Sequence, residues 1–305
     1  MQKLTNLNML DNAISIIFEF LIFFKTPFMK KIILSILILF ITIAGYGQKD
    51  EIYYSMADAL QKPLQVYYLS LYSNDLTTLP ADICKFTNLT NLVLSSNKLN
   101  SLPECLTKLT HLTTLELESN QFTSMPDVIT RIPSLTTLYL NSNQLIELPE
   151  SISKLTNLTT LELFNNQITK LPDGISKLTK LTTLYLNSNQ LTSIPENVFK
   201  LSNLTMLKLF NNKITKLSES ISKLTKLETL YLNSNQLTSI PESIGTLSHL
   251  STINFNENQL TSLPKSIVKL SELKVFHIDN NDNLVLTAEQ QQFVKKVHNI
   301  EWIIK

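Results

Sequence analysis

Few residues of this chain have the types and spacing that catalysis requires. His277 precedes Asp279 by two residues, an arrangement that could supply a base and its orienting acid. No serine or cysteine nucleophile shares their register, so we expect no catalytic triad. The chain also lacks CxxC, HxxxH and acidic calcium-loop motifs, which predicts that it binds no metal. No cofactor is expected.

Glu116 and Glu118 form the second candidate constellation. Residues two apart on a strand point to the same face, so both carboxylates would project together. Such a pair could hold a cation or act as the acids of a glycosidase. Two acids on a solvated strand are more often plain surface, and we interpret them in that way. The sequence therefore predicts a protein that is not an enzyme.

Composition excludes further classes of partner. The 305 residues are 43% hydrophobic and 17% charged, which suits a folded chain with a large core. Its 26 basic and 25 acidic residues nearly cancel, so no basic surface for nucleic acid is expected. With only four glycines in the chain, a glycine-rich phosphate loop is absent.

The N-terminal residues carry the pattern of an export signal. Residues 29–47 combine a basic start, an apolar run over 32–44 and a small-residue exit. A bilayer span needs about 20 apolar residues. The run is shorter than that, so we expect cleavage after Gly47 and no stable membrane span in the mature chain. Residues 1–28 are interpreted as an upstream extension or non-native start. The alternative, a membrane hairpin, would place Glu19 in the bilayer.

The elements that position all these residues follow from one repeat. Asparagine recurs at a constant interval, at positions 74, 97, 120, 143, 166, 189, 212, 235, 258 and 281. A fixed period of this size indicates a repeat architecture. Around each asparagine stands the frame LxxLxLxxNxLxxLPxxIxxL, over about 66–286. In this frame the chain resembles the leucine-rich repeat family. The resemblance extends to secreted bacterial proteins of that family.

The spacing and the resemblance imply the same fold class, an α/β repeat solenoid. Leu138 and Leu140 point inward from a short strand, whereas Tyr139 between them points outward. Ile152 and Leu155 lie on one stripe of a short helical segment that begins after a proline. We expect a curved horseshoe with a parallel sheet on its concave face and short helical or extended segments on its convex face. The repeated asparagines are expected to form a buried hydrogen-bonded ladder.

The ends of the array must be covered because each repeat buries its apolar face against the next. Residues 48–65 are predicted to form an N-terminal cap, with a capping box over 55–58. Residues 66–286 form ten repeats of equal length, and 287–305 form a C-terminal helical cap with a second capping box.

Convex charges have a sufficient structural explanation. An acid stands seven residues after most of the asparagines and a base four residues later. This order favours ion pairs four apart in a helix and complements the helix dipole. We assign the convex face to stability.

Outward strand positions accumulate aromatic and charged residues without such an explanation. We predict that a ligand binds there, on the concave face, at seven residues: Tyr139, Glu162, Phe164, Tyr185, Lys208, Phe210 and Tyr231. Asn141 belongs to the same outward columns and is expected to be solvated. The tyrosines recur in every second repeat within copies of LYLNSNQL, so duplication of a scaffold is the alternative explanation.

Cys84 and Cys105 lie in adjacent repeats with offsets that differ by two residues. This offset argues against disulfide geometry, although an exported protein permits a bridge. We expect two free thiols.

Together these features predict a non-enzymatic recognition module, exported from a bacterial cytoplasm to the periplasm, the outer-membrane surface or the medium. Its partner is expected to be a protein or peptide, with a glycan as a second possibility and no nucleic acid. The alternative function is that of a cytosolic scaffold for signalling proteins, which would require the leader to stay uncut or untranslated.

Overall fold

The computed structural model describes residues 51–303, and its side chains are described to residue 297. In this part of the chain eleven strands form one parallel sheet in chain order, each paired with the next. The strands are β1 (Ile52–Tyr53), β2 (Tyr68–Ser70), β3 (Asn91–Val93), β4 (Thr114–Glu116), β5 (Thr137–Tyr139), β6 (Thr160–Glu162), β7 (Thr183–Tyr185), β8 (Met206–Lys208), β9 (Thr229–Tyr231), β10 (Thr252–Asn254) and β11 (Val275–His277).

The sheet confirms the repeat solenoid and adds one strand to it. Strands β2 to β11 are the ten predicted ones, and the central residue of each is buried. Strand β1 precedes the first repeat and pairs in parallel with β2. This extra strand gives the first repeat a partner that the repeat pattern itself could not indicate.

On the opposite side of each turn the chain forms a short 3₁₀ helix. The described residues contain ten of these helices, one between each pair of successive strands: Pro63–Gln65, Ala81–Lys85, Glu104–Lys108, Asp127–Arg131, Glu150–Lys154, Asp173–Lys177, Glu196–Lys200, Glu219–Lys223, Glu242–Thr246 and Lys265–Lys269. Ile152 N–H donates to the Pro149 carbonyl at 3.1 Å, and Leu155 N–H donates to the Ile152 carbonyl at 3.0 Å. Bonds that span three residues make a tighter turn than an α-helix.

The tighter turn corrects the expected pairing of convex charges. A 3₁₀ helix aligns residues three apart, so an acid and a base four apart do not meet. Within residues 51–297, charged side chains pair either three apart, as in Asp82 with Lys85, or between repeats, as in Glu104 with Arg131. The convex acids also reach the next repeat, since Glu150 accepts from the N–H groups of Asp173 at 3.0 Å and Gly174 at 2.8 Å. The convex charges therefore tie neighbouring repeats together.

The asparagine ladder is confirmed. Asn189 Oδ1 accepts from the N–H of Ile168 in the previous repeat at 2.9 Å. Its Nδ2 donates to the carbonyls of Leu163 at 2.9 Å and Leu186 at 3.1 Å. The same bonds recur at each asparagine from Asn97 to Asn281. Each amide thus satisfies backbone groups that the turn off the strand leaves without a sheet partner.

Two α-helices cap the solenoid. Helix α1 (Met56–Ala59) begins at Ser55, whose hydroxyl accepts from the Asp58 N–H at 3.1 Å. Helix α2 (Ala288–Ile303) begins with a reciprocal pair of bonds between Thr287 and Gln290. The second capping box is therefore complete, whereas at the first the Asp58 carboxylate accepts from the Ser55 hydroxyl and not from its N–H. The Phe293 ring meets the core at the Phe276 ring, 6.2 Å between centroids.

Cys84 and Cys105 form a disulfide, so the expectation of two free thiols is wrong. Their Cα atoms lie 5.8 Å apart, on the successive 3₁₀ helices Ala81–Lys85 and Glu104–Lys108. Stacked turns bring the two helices close enough that an offset of two residues still satisfies the distance that a bridge requires.

The predictions for the leader lie outside the described residues, because the structure describes no residue before 51. In the part of the chain that it does describe, no helix has the length and apolar character needed to cross a membrane.

Candidate functional site

The concave face consists of three columns of outward side chains, at six, four and two positions before each ladder asparagine. Adjacent strands are aligned without offset, so each column runs straight across the sheet. Neighbouring strands lie about 4.8 Å apart, which places neighbouring side chains of one column in contact range. The central column from β4 to β9 contains Glu116, Tyr139, Glu162, Tyr185, Lys208 and Tyr231.

Lys208 lies between two tyrosines of the central column. Its ammonium is 4.1 Å from the centroid of the Tyr185 ring and 5.8 Å from that of Tyr231. A cation over a tyrosine face is attracted by the negative charge density of the ring. The three side chains therefore hold one another in position on the face.

Tyr185 has a second fixed contact, because its hydroxyl donates to the Met206 sulfur at 2.9 Å. Phe164 and Phe210 stand one column away on the intervening repeats and are half-buried. Their carbonyls accept from the N–H groups of Ser142 and Ser188 at 2.9 Å. All seven residues predicted as the site thus lie on one face of the sheet. Their aromatic side chains alternate between two neighbouring columns from one repeat to the next. That they bind a ligand stays a prediction.

Three glutamates surround Tyr139 on strands β4 to β6, at one end of the predicted site. Burial raises the pKa of Glu116, and the nearby charge of Glu118 raises it further. Burial and then Glu118 raise the pKa of Glu162, against a smaller opposite effect of Lys208. The pKa of Tyr139 is raised by burial and by all three carboxylates. These groups therefore form one electrostatic cluster, in which Glu116 and Glu118 are half-buried and not fully solvated.

Two small polar side chains beside this cluster are buried. Asn141 is only 5% exposed and Ser95 only 1%, although both belong to the outward column that also contains Glu118. Neither Asn141 Oδ1 nor Ser95 Oγ has a hydrogen-bond partner. The expectation of a solvated Asn141 is wrong, because large side chains on adjacent strands cover a short one between them.

Sequence reasoning missed Asn141 and Ser95 as members of the site. The signal that could have found them is the alternation of short and long side chains along one column, Ser95, Glu118, Asn141 and Phe164. His277 lies at the far end of the central column, opposite Asn254 on β10. Among the described residues no group of three or more acidic, histidine or cysteine side chains is arranged to hold a metal ion.

A shallow polar recess of about 560 Å³ lies elsewhere on the solenoid. It contains none of the seven predicted site residues and is lined by Glu228, Ser248, His249, Ser251, Ser271, Glu272 and Lys274. The seven predicted site residues lie on or just after adjacent strands that are paired in register, an extended surface that suits an extended partner better than an enclosed small molecule.

The repeats match the family profiles described as leucine rich repeat and as two-copy leucine rich repeats. The first matches residues 65–122, 179–237 and 226–282, and the second matches 133–173 and 156–200. The chain belongs to the leucine-rich repeat family. The comparison with curated proteins gives no match.

Several solved structures are similar to the solenoid. A leucine-rich repeat protein of Leptospira interrogans is 36% identical with a TM-score of 0.72, over 77% of this chain and 63% of that one. The plant peptide hormone receptor RGFR1, solved in complex with RGF2, is 26% identical with a TM-score of 0.61, over 72% and 42%. The functional domain of InlJ from Listeria monocytogenes is 26% identical with a TM-score of 0.54, over 71% and 48%. The chain thus spans less than two thirds of the length of each of these proteins.

Proposed function

We propose that this leucine-rich repeat protein is an exported, non-enzymatic recognition module that binds a protein or peptide on its concave face. The observation that carries the proposal is the strip of aromatic and charged side chains from Tyr139 to Tyr231, aligned on adjacent strands. Leucine-rich repeats commonly mediate protein binding, and one structural neighbour is a peptide hormone receptor with its peptide bound.

Rigidity of the strip supports this function. The strands that carry it are fixed by the sheet and by the asparagine ladder, and Lys208 is already held between Tyr185 and Tyr231. A partner would therefore find side chains in place and would lose little free energy to ordering them. Tyrosine adds large contact area with few rotatable bonds, which is why it often dominates interface energy.

A peptide is favoured over a glycan because a lysine of the chain already occupies one of the tyrosine faces. Sugars bind aromatic residues by stacking on the face of the ring. The face of Tyr185 carries the Lys208 ammonium at 4.1 Å, so a sugar would have to displace a cation that the ring attracts. A peptide can instead contact ring edges, the tyrosine hydroxyls and the charged residues between them.

Export is supported by two independent features. Residues 29–47 have the three parts of a signal peptide, and the Cys84–Cys105 disulfide suits an oxidising compartment. The cytosolic scaffold is disfavoured because thiols there are kept reduced. Cell fractionation followed by N-terminal sequencing tests this proposal. We expect an exported chain that begins at Gln48, and a cytosolic chain that retains Met29 would contradict it.

Capture experiments test the binding function. The chain, expressed with its leader and purified, is immobilised and exposed to envelope and secreted proteins of the source cells. We expect a specific partner whose affinity falls by about tenfold or more with Tyr185→Ala. Tyr54→Ala is the matched control, because Tyr54 is 69% exposed and lies outside the strip. Equal affinity of wild type, Tyr185→Ala and Tyr231→Ala for that partner would show that the strip is a duplicated scaffold feature.

A further inference from the structure

The acidic end of the concave face has a defined geometry. Glu116, Tyr139 and Glu162 are directly opposite one another on β4, β5 and β6. The two flanking strands are therefore about 10 Å apart across the tyrosine. Glu118 follows Glu116 by two residues on the same side of the sheet, and its charge acts on both of the other carboxylates. Three carboxylates thus surround one aromatic ring, and they form what we call the acidic cluster.

The residues that the structure describes supply no salt-bridge partner to this cluster. Within residues 51–297 the ion pairs involve other acids, namely Asp75, Asp82, Glu104 and Glu147. The cation that influences Glu162 is Lys208, and its ammonium stands over the Tyr185 ring. The negative charge of the cluster is consequently left without a direct counterion in the described part of the chain.

Buried neutral oxygens provide a second and independent observation. Asn141 and Ser95 flank Glu118 in its column, since Ser119 N–H donates to the Asn141 carbonyl and Ser96 N–H to the Glu118 carbonyl. Their Oδ1 and Oγ atoms are enclosed and have no partner. A buried acceptor without a donor is costly and rare. Both oxygens lie beside the three carboxylates but are closed off from solvent, so a ligand that brings the missing donors reaches them when the side chains that enclose them move aside.

We propose that the acidic cluster, together with Asn141 and Ser95, binds an arginine side chain of the protein or peptide partner. The proposal rests on the recognition function and names the chemistry of the partner at this end of the face. Every group identified here can accept a hydrogen bond, and a guanidinium carries five donors and no acceptor. Its planar fork can pair with one carboxylate through two parallel hydrogen bonds while its remaining N–H groups reach other acceptors, a geometry that the tetrahedral ammonium of a lysine does not match.

Tyr139 completes the site as an aromatic platform. A guanidinium stacks on a tyrosine face more readily than an ammonium, because it is planar and more weakly hydrated. The chain shows the related contact within itself, where Lys208 lies over Tyr185. At Tyr139 the flanking residues are two glutamates and not a lysine. Tyr139 thus lacks the neighbouring cation that Tyr185 and Tyr231 share, and the arginine of the partner supplies it.

Peptide titration tests the proposal with defined probes. Acetylated and amidated triarginine is titrated against the chain by calorimetry, with tricitrulline as the neutral isostere and trilysine as the point-charge probe. We expect triarginine to bind about tenfold or more tightly than either of the other two. Glu116→Gln combined with Glu162→Gln should abolish this preference. Asn141→Ala should weaken triarginine binding severalfold without lowering the melting temperature.

The matched control is Glu228→Gln combined with Glu272→Gln, which removes the same charge from exposed positions outside the cluster. An equal loss of affinity in this control would show that triarginine responds only to net charge, and would overturn the proposal. Equal binding of tricitrulline would overturn it as well, and equal binding of trilysine would overturn the assignment to a guanidinium. If the natural partner needs Tyr185 but tolerates the cluster variants, the arginine site falls while the recognition function stands.

Discussion

Replacement of one ladder asparagine provides the sharpest test of how the solenoid is held together. Asn189→Ala removes four hydrogen bonds, one accepted from Ile168 N–H and three donated to the carbonyls of Leu163, Leu186 and Asn187. The consequences for donor and acceptors differ, and the difference fixes the expected loss of stability.

The three carbonyls keep another partner. Leu163 and Leu186 still accept from the amides of Asn166 and Asn212, and the Asn187 carbonyl accepts from Asn165 N–H. Ile168 N–H has no other acceptor among its described hydrogen bonds and is left buried without one. An orphaned buried donor costs about 1–3 kcal/mol, and weakening each carbonyl adds a fraction of about 1 kcal/mol. We therefore expect a loss of about 2–4 kcal/mol.

The measurement is urea unfolding of Asn189→Ala beside Asn141→Ala. Both changes remove a buried asparagine amide, but Asn141 Oδ1 has no partner to lose. Its removal should leave the free energy of unfolding nearly unchanged. Native-state hydrogen exchange should show faster exchange at Ile168 N–H in the first variant alone. Equal destabilisation by the two variants would refute the hydrogen-bond argument, because the loss of stability would then come only from removing a buried side chain.

Three further predictions follow from core packing, the disulfide and the acidic cluster. Leu186→Ala should lower the free energy of unfolding by about 2–5 kcal/mol because it leaves a cavity in the core. Exposed Lys177→Ala should change the free energy of unfolding by less than about 0.5 kcal/mol. The urea midpoints of the two variants, measured beside wild type, test this difference. Replacing both Cys84 and Cys105 by alanine should cost about 3 kcal/mol, the loop-entropy value for their separation of 21 residues. Wild type under reductant should unfold at the same urea concentration as this variant, and a difference would refute the estimate. The raised pKa of Glu162 means that the fold disfavours its ionised form, so its stabilising contribution is complete at low pH and is lost as pH rises through the raised pKa. Glu162→Gln should therefore raise the melting temperature at neutral pH but not at about pH 3.5, below the usual glutamate range; a higher melting temperature at both values would contradict this.

The sequence predicts the fold well because its main determinants are local and repeated. The constant repeat interval places each ladder asparagine against its neighbour whatever the details of the turn, and the inward leucines need only the two-residue period of a strand. The type of helix on the convex side is harder to predict from the sequence. Five-residue segments are too short for an α-helix to be favoured over a 3₁₀ turn.

Contacts between repeats explain what could not be predicted. The Cys84–Cys105 distance depends on how closely two 3₁₀ helices stack, which the sequence offset does not encode. The burial of Asn141 depends on the size of side chains on adjacent strands. A residue-by-residue assignment of inward and outward positions is blind to this second effect, since a short side chain on the outer face can be as enclosed as a core residue.

Backbone strain at the strand ends shows how strictly the ladder is imposed. Ser119, Ser142 and Asn165 each precede a ladder asparagine and have φ near +54°, a left-handed conformation that costs most non-glycine residues about 1–2 kcal/mol. The same geometry recurs before every ladder asparagine of the array. Hydrogen bonds of the following asparagine offset this cost, which explains why serine, asparagine and, at position 257, glutamate are accommodated where a glycine would be less strained.

Asn141 and Asn143 lie in the same repeat, but Asn143 stabilises the scaffold whereas Asn141 belongs to the proposed site. Asn143 makes four hydrogen bonds, accepting from Phe122 N–H and donating to three carbonyls. Asn141, two residues earlier, is equally enclosed, yet its Oδ1 has no partner. Because the Asn141 amide oxygen gains no hydrogen bond on folding, the stability of the fold alone does not account for asparagine at that position. A partner that donates to Asn141 and neutralises the neighbouring carboxylates would account for both the orphaned oxygen and the uncompensated charge.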